Sequence, residues 1–149
     1  MKRTSLLFLF FALSCATAPQ GAYLFPRGKQ KHEVHVYSKD GTENFSSQSF
    51  LVIDEKEARI TALSPVALTM MKAELHKGQA PIINYLNPAL AKHKGNIELF
   101  LKKLSHLLWI RQGNLSSEMK VIDLQSDGTA KDIEWKFANQ KILIRIEKI

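Results

Sequence analysis

From residue 33 onward the apolar and polar positions alternate with a period of two, interrupted by short turn signals. Only once does the period lengthen to that of a helix. Val34 and Val36 share a face with Ser38, while His35 and Tyr37 fall on the other. Residues 39–42, Lys-Asp-Gly-Thr, predict a tight turn, because Asp-Gly supports positive φ. Residues 45–53 read as a second strand. Its end, Phe50, Leu51, Val52 and Ile53, is apolar on both faces and is expected to be central or covered. A charged turn over residues 54–57 leads into a third strand at 59–63, which Ser64-Pro65 interrupts. Residues 66–75 fit both periods. Leu68, Met71, Lys72 and Leu75 suit a helix; Leu68, Met70 and Lys72 against Thr69, Met71 and Ala73 suit a strand. Strand is the preferred reading, because His76-Lys77-Gly78 looks like a hairpin turn into residues 80–85. Pro81 has no N–H to give a ladder, so that strand is an edge or begins there.

Asn87-Pro88 breaks the alternation, and residues 88–94 suit a short helical turn. One amphipathic helix follows. Asn96 is its expected N-cap, and Glu98 lies in the first turn, where the helix dipole favours a carboxylate. Ile97, Phe100, Leu101, Leu104, Leu107 and Leu108 make a wide apolar stripe opposite Lys102, Lys103, Ser105 and His106. The stripe suits plain core packing or a lid over a cavity. The helix is expected to stop near Arg111 and Gly113. Three strands close the chain, at residues 119–124, around Ile133, Trp135 and Phe137, and around Ile142, Ile144 and Ile146. The last two, joined by Ala138-Asn139-Gln140, form the clearest hairpin. The order predicts a mainly β (α+β) domain: one curved antiparallel sheet, paired consecutively, with an amphipathic helix across its concave face.

Residues 1–32 lack sustained periodicity. Lys2 and Arg3 precede an apolar run over residues 6–13, and small residues then surround Cys15, the only cysteine. This is the three-part layout of a bacterial export signal. The run is too short for a bilayer span, which takes about 20 apolar residues. Ala12, Leu13 and Ser14 before Cys15 resemble a bacterial lipobox, with the usual order of Leu and small residue exchanged. Residues 1–14 therefore read as a lipoprotein-type signal peptide, and Cys15 as the site of lipid attachment. Ala16 after the cysteine, rather than Asp, implies the outer membrane, facing the periplasm. Ser14-Cys15-Ala16 also has the small-x-small form of ordinary signal cleavage, which would discard Cys15. Residues 15–32, with Pro19, Gly21, Pro26 and Gly28, read as a tether. Tyr23, Leu24 and Phe25 are its candidates to dock on the body. Residues 33–149 then make a single domain.

A formal net charge of +7 comes from scattered lysines rather than a basic block. Nucleic acid is excluded as the partner of an exported chain. An anionic membrane surface is compatible, at about 1 kcal/mol per well-placed Lys or Arg, but a solvated basic face is the preferred explanation of the charge. With one cysteine no internal disulfide can form. The five histidines, His32, His35, His76, His93 and His106, have no metal-ligand spacing. No nucleophile elbow, phosphate loop or paired-cysteine motif is present. No catalytic residue, metal or cofactor is therefore assigned, and a non-catalytic monomer is expected.

The order of elements from residue 34 to 149 resembles the LolB family of outer-membrane lipoproteins and small lipoproteins of the same fold. Three segments carry the resemblance. They are Phe50-Leu51-Val52-Ile53-Asp54 through Leu63-Ser64-Pro65, the Leu-rich helix ending in Trp109, and the hairpin of Ile133-Glu134-Trp135-Lys136-Phe137 with Ile142-Leu143-Ile144-Arg145-Ile146. The resemblance implies an incomplete antiparallel barrel whose apolar cavity receives an acyl chain or a lipoprotein's lipid. Leu68, Met70, Leu101, Leu104, Leu108, Trp135 and Ile144 are the cavity candidates. The family's membrane-inserting leucine loop would correspond to residues 64–68, with Val66 as the membrane-contact candidate. The chain is shorter than LolB, which leaves room for fewer strands. Two functions remain open: a carrier of an apolar acyl-containing ligand, or an assembly lipoprotein that binds a protein partner. An apolar cavity of roughly 300 Å³ or more would favour the carrier, and a filled interior the partner-binding protein.

Overall fold

Each alternating segment of the sequence becomes a strand in the computed structural model, which describes residues 21–149. The strands are β1 (Gly28–Tyr37), β2 (Glu43–Ile53), β3 (Glu57–Leu63), β4 (Thr69–His76), β5 (Ile82–Leu86), β6 (Met119–Leu124), β7 (Ala130–Phe137) and β8 (Gln140–Lys148). A short 3₁₀ turn, Pro88–His93, and helix α1 (Lys94–Leu107) stand between β5 and β6. All eight strands pair antiparallel in one sheet, in the order β5-β4-β3-β2-β1-β8-β7-β6. The sheet does not close; β5 and β6 are its edges. With 51% strand against 18% helix, the domain is mainly β.

Residues 66–75, which fit both periods, enter β4 as strand. The turn after His76 closes through the Gln79 N–H donating to His76 O at 3.0 Å. β5 begins directly after Pro81 and lies at the edge. The Asp-Gly turn at residues 40–41 puts Gly41 at φ 88°, and Asp40 Oδ1 accepts the Thr42 N–H at 3.0 Å. Ala138 and Asn139 take φ 48° and 64° between β7 and β8. Two successive residues at positive φ match the twist of the flanking strands. The register then sets Ile133 opposite Ile144 and Trp135 opposite Ile142.

Consecutive pairing holds within two meanders, β1–β5 and β6–β8. They are joined by β1 and β8, with Val36 opposite Ile142 and Gln30 opposite Lys148. The first and last strands are thus neighbours at the centre of the sheet. α1 packs into the concavity between the two wings. Phe100 lies 5.4 Å from the Trp135 ring and 6.0 Å from Phe137, while α1 also contacts β4 on the other wing.

Three sequence expectations change. The helix begins at Lys94, not at an Asn96 cap; His93 is its N-cap residue and makes no side-chain cap bond. The 3₁₀ turn runs straight into α1, so the Lys94 N–H already bonds Ala91 O and no free helix start remains. The cap sits one element earlier, where Asn87 Oδ1 accepts the Ala89 N–H at 3.0 Å. Second, α1 ends at Leu107, short of the expected Arg111 and Gly113; β2, by contrast, is central as expected, with Phe50 and Val52 of its outer face 39% and 36% exposed. Third, the sheet takes residues assigned to the tether. β1 starts at Gly28, and Leu24 and Phe25 are wholly buried. The Leu24 N–H donates to Ile110 O at 3.0 Å, and Leu24 O accepts from the Ala130 N–H at 2.9 Å. This strap is fixed to the C-terminal end of α1, where Arg27 donates to Leu108 O at 2.8 Å. Arg27 and Arg111 also flank the Tyr23 ring, at 4.1 and 4.5 Å from its centroid. Residues 1–20, including the expected signal and Cys15, lie outside the described residues.

Candidate functional site: a cavity between sheet and helix

Inward-facing positions of a strand repeat every second residue. On β1 these are Gln30, His32, Val34 and Val36; on β2 they are Ser47, Ser49, Leu51 and Ile53. The register pairs Val34 with Ser47 and His32 with Ser49. β3 adds Ile60 and Ala62, and β8 adds Ile142 and Ile144. Opposite this wall stand Ile97, Phe100, Leu101 and Leu104 of α1. Between wall and helix lies a cavity of about 380 Å³, within the roughly 300–1,000 Å³ typical of small-ligand sites.

The cavity opens at one end. Phe45 at the start of β2, Leu63 at the end of β3, Gln140 at the start of β8, and His93 and Asn96 at the start of α1 all line it. Antiparallel pairing puts these residues at the same end as the turn joining β3 to β4. That turn is held by the Ala67 N–H donating to Ser64 O at 2.9 Å and the Ser64 N–H donating to Leu68 O at 2.9 Å. Ala67 adopts φ 61°, and Val66 and Leu68 project from the tip, 76% and 60% exposed. At the opposite end the strap lies beneath the cavity. Phe25 stacks on His32 at 5.5 Å, and Trp109 Nε1 donates to Asp54 O at 2.9 Å.

Of the sequence candidates, Met70, Leu101, Leu104 and Ile144 line the cavity. Leu68 does not; it stands on the exposed tip beside Val66. Leu108 is fully buried past the end of α1, in the core near the strap. Trp135 packs on Phe137 at 5.2 Å and faces a separate open depression on the outer flank of α1, lined by Lys77, Lys102, Lys103 and His106. The sequence reading missed the strand wall, above all His32, Ser47, Ser49 and Ala62. Their shared parity with Val34, Leu51 and Ile60 was the available signal, but only the β1–β2 register shows that they converge.

His32 is the buried titratable group of this wall. The Gln30 side-chain amide donates to Pro26 O at 2.7 Å, which turns Gln30 Oε1 toward His32 Nε2, 2.7 Å away. The network therefore assigns the proton to Nε2. Burial pushes the His32 pKa down to about 3. The unfolded chain, titrating near 6.5, binds a proton that the folded chain refuses. The stability this costs is absent above pH 6.5 and grows as pH falls toward 3. Between pH 7 and 5, the wild type is expected to lose about 2 kcal/mol more than His32→Leu, measured by urea unfolding. Parallel pH profiles for the two proteins would refute this. Among the described residues, no group of three or more His, Cys, Asp or Glu could hold a metal ion.

Comparison with protein families finds no matching family model, and comparison with curated proteins finds no match.

Proposed function

We propose that this chain is a LolB-like lipoprotein, anchored through Cys15 to the outer membrane and facing the periplasm, which binds or transfers an apolar acyl-containing ligand without catalysis. The observation that carries this reading is the cavity of about 380 Å³ between sheet and helix. Its walls are apolar apart from a few hydrogen-bonding groups, the usual make-up of a site for a small apolar ligand. The alternative, an assembly lipoprotein with a filled interior, is weakened by the same volume.

The tip at residues 64–68 supports the reading. Val66 and Leu68 are exposed at the end where the cavity opens. Large apolar side chains at a hairpin tip suit insertion among lipid headgroups, so a chain leaving the bilayer would meet the mouth directly. The size of the cavity suits one chain rather than several.

Mass spectrometry of the protein extracted from membranes tests both parts. The denatured mass is expected to carry a lipid adduct on Cys15, and the native mass a co-purified lipid. An unmodified chain starting after residue 16 would sink the anchor. Native protein without co-bound lipid and without fatty-acid uptake would sink the carrier.

A further inference from the structure

The cavity contains a polar strip that a plain hydrocarbon chain does not need. Ser47 and Ser49 face inward from β2, opposite Val34 and His32 of β1. Both serines are half-buried and line the cavity, and among the described residues no side-chain hydrogen bond engages either hydroxyl. His32 is engaged with Gln30 and fixed in orientation by it. A hydroxyl covered by an apolar chain loses its hydrogen bonds to water and gains none in return. The strip therefore discriminates against a ligand that is hydrocarbon at that depth.

Its depth defines the ligand. Phe45 is at the mouth and Ser49 lies four residues along the same strand, about 13 Å deeper at strand rise. A headgroup at the mouth cannot reach it. Charge defines the ligand further. Among the described residues, no Lys, Arg, Asp or Glu lines the cavity. His32 stays neutral because burial lowers its pKa. An ionised carboxylate at Ser49 would be buried without a counter-ion, which disfavours it. A neutral hydroxyl or carbonyl would instead be satisfied by hydrogen bonds to the serines.

We infer that the cavity selects an acyl chain bearing a neutral hydrogen-bonding group, a hydroxyl or ester carbonyl, partway along its length, with Ser47 and Ser49 as the specificity-determining residues. This rests on the carrier reading above and narrows its ligand class.

Oleate and ricinoleate, which differ by one mid-chain hydroxyl, separate the two claims. Their affinities for the wild-type protein are measured by displacement of a fluorescent fatty acid. Ricinoleate is expected to bind about five- to tenfold more tightly. Ser47→Ala/Ser49→Ala is expected to bring the ratio close to one, while Ser46→Ala, on the opposite face of β2, keeps it. Circular dichroism of each variant checks that the fold is intact. Equal binding of the two probes by the wild type would overturn the selectivity and leave the carrier standing. A preference that survives in the folded double variant would also overturn it. Failure of both probes to bind would remove the carrier reading and this inference together.

Discussion

Phe25→Ala is expected to lower the unfolding free energy by about 3–5 kcal/mol, the range for deleting a buried aromatic ring. Phe25 has no exposed surface. It stacks on His32, between Leu24, whose backbone joins residues 110 and 130, and Pro26, whose carbonyl accepts from Gln30. The cavity left by the ring cannot collapse easily, because its neighbours are held by hydrogen bonds from three separate elements. Some destabilisation also comes from loosening the Gln30–His32 pair, which would remain buried with less of its packing. Urea unfolding of a chain comprising residues 15–149 measures the effect. Leu68→Ala, on the exposed tip, serves as control and is expected to change stability by less than about 0.5 kcal/mol. A loss below about 1 kcal/mol at Phe25 would mean that the strap is a tether and no part of the core.

Ala62→Phe is expected to weaken fatty-acid uptake at least tenfold, equivalent to about 1.4 kcal/mol. Ala62 lies on β3 between Ser49 of β2 and Met71 of β4 and lines the cavity opposite α1. A benzyl group there has empty space to occupy, whereas the surrounding core is close-packed and cannot give way. Stability is expected to hold or rise, since the ring fills a void rather than displacing packed atoms. Titration with a fluorescent fatty acid, alongside thermal unfolding, reads both. Undiminished uptake by a folded variant would move the ligand out of this cavity, and the open depression lined by Lys102 and Lys103 would become the next site to test.

The strands were legible because one of their faces is buried and the other wet. Ile133, Trp135 and Phe137, and Ile142, Ile144 and Ile146, show this in the sequence, and Ala138-Asn139 provides the positive φ for the turn between them. α1 was legible from its Leu stripe, but its start was not. Asn96 has the right chemistry for a cap, yet the preceding 3₁₀ turn already supplies carbonyls to the first N–H groups. Docking of Leu24 and Phe25 was legible from their apolar character, but the start of β1 was hidden because Pro26, Gly28 and Gln30 look like loop composition. Gln30 and His32 are polar residues on the inward face of β1, so period-two alternation of apolar residues could not mark that end of the strand. Part of the cavity was legible, through Met70, Leu101, Leu104 and Ile144. The helix leucines follow from the stripe, while the serines of β2 look like an ordinary solvated face.

Among the described residues, local patterning alone therefore marked the eight strands, helix α1 and the turns, though not every boundary. These depend on side-chain spacing and backbone preference within a few residues. The expectation of an export signal before Cys15 likewise rests on local sequence. Tertiary structure decided which strands became neighbours and which polar residues were turned inward. The pairing of β1 with β8 joins segments more than a hundred residues apart, and no local energy term specifies it. That pairing puts Val34 and Ile144 side by side, curves both wings around α1 and leaves the space between them partly unfilled. A cavity is a deficit of packing among distant segments, so it exists only once the sheet has assembled.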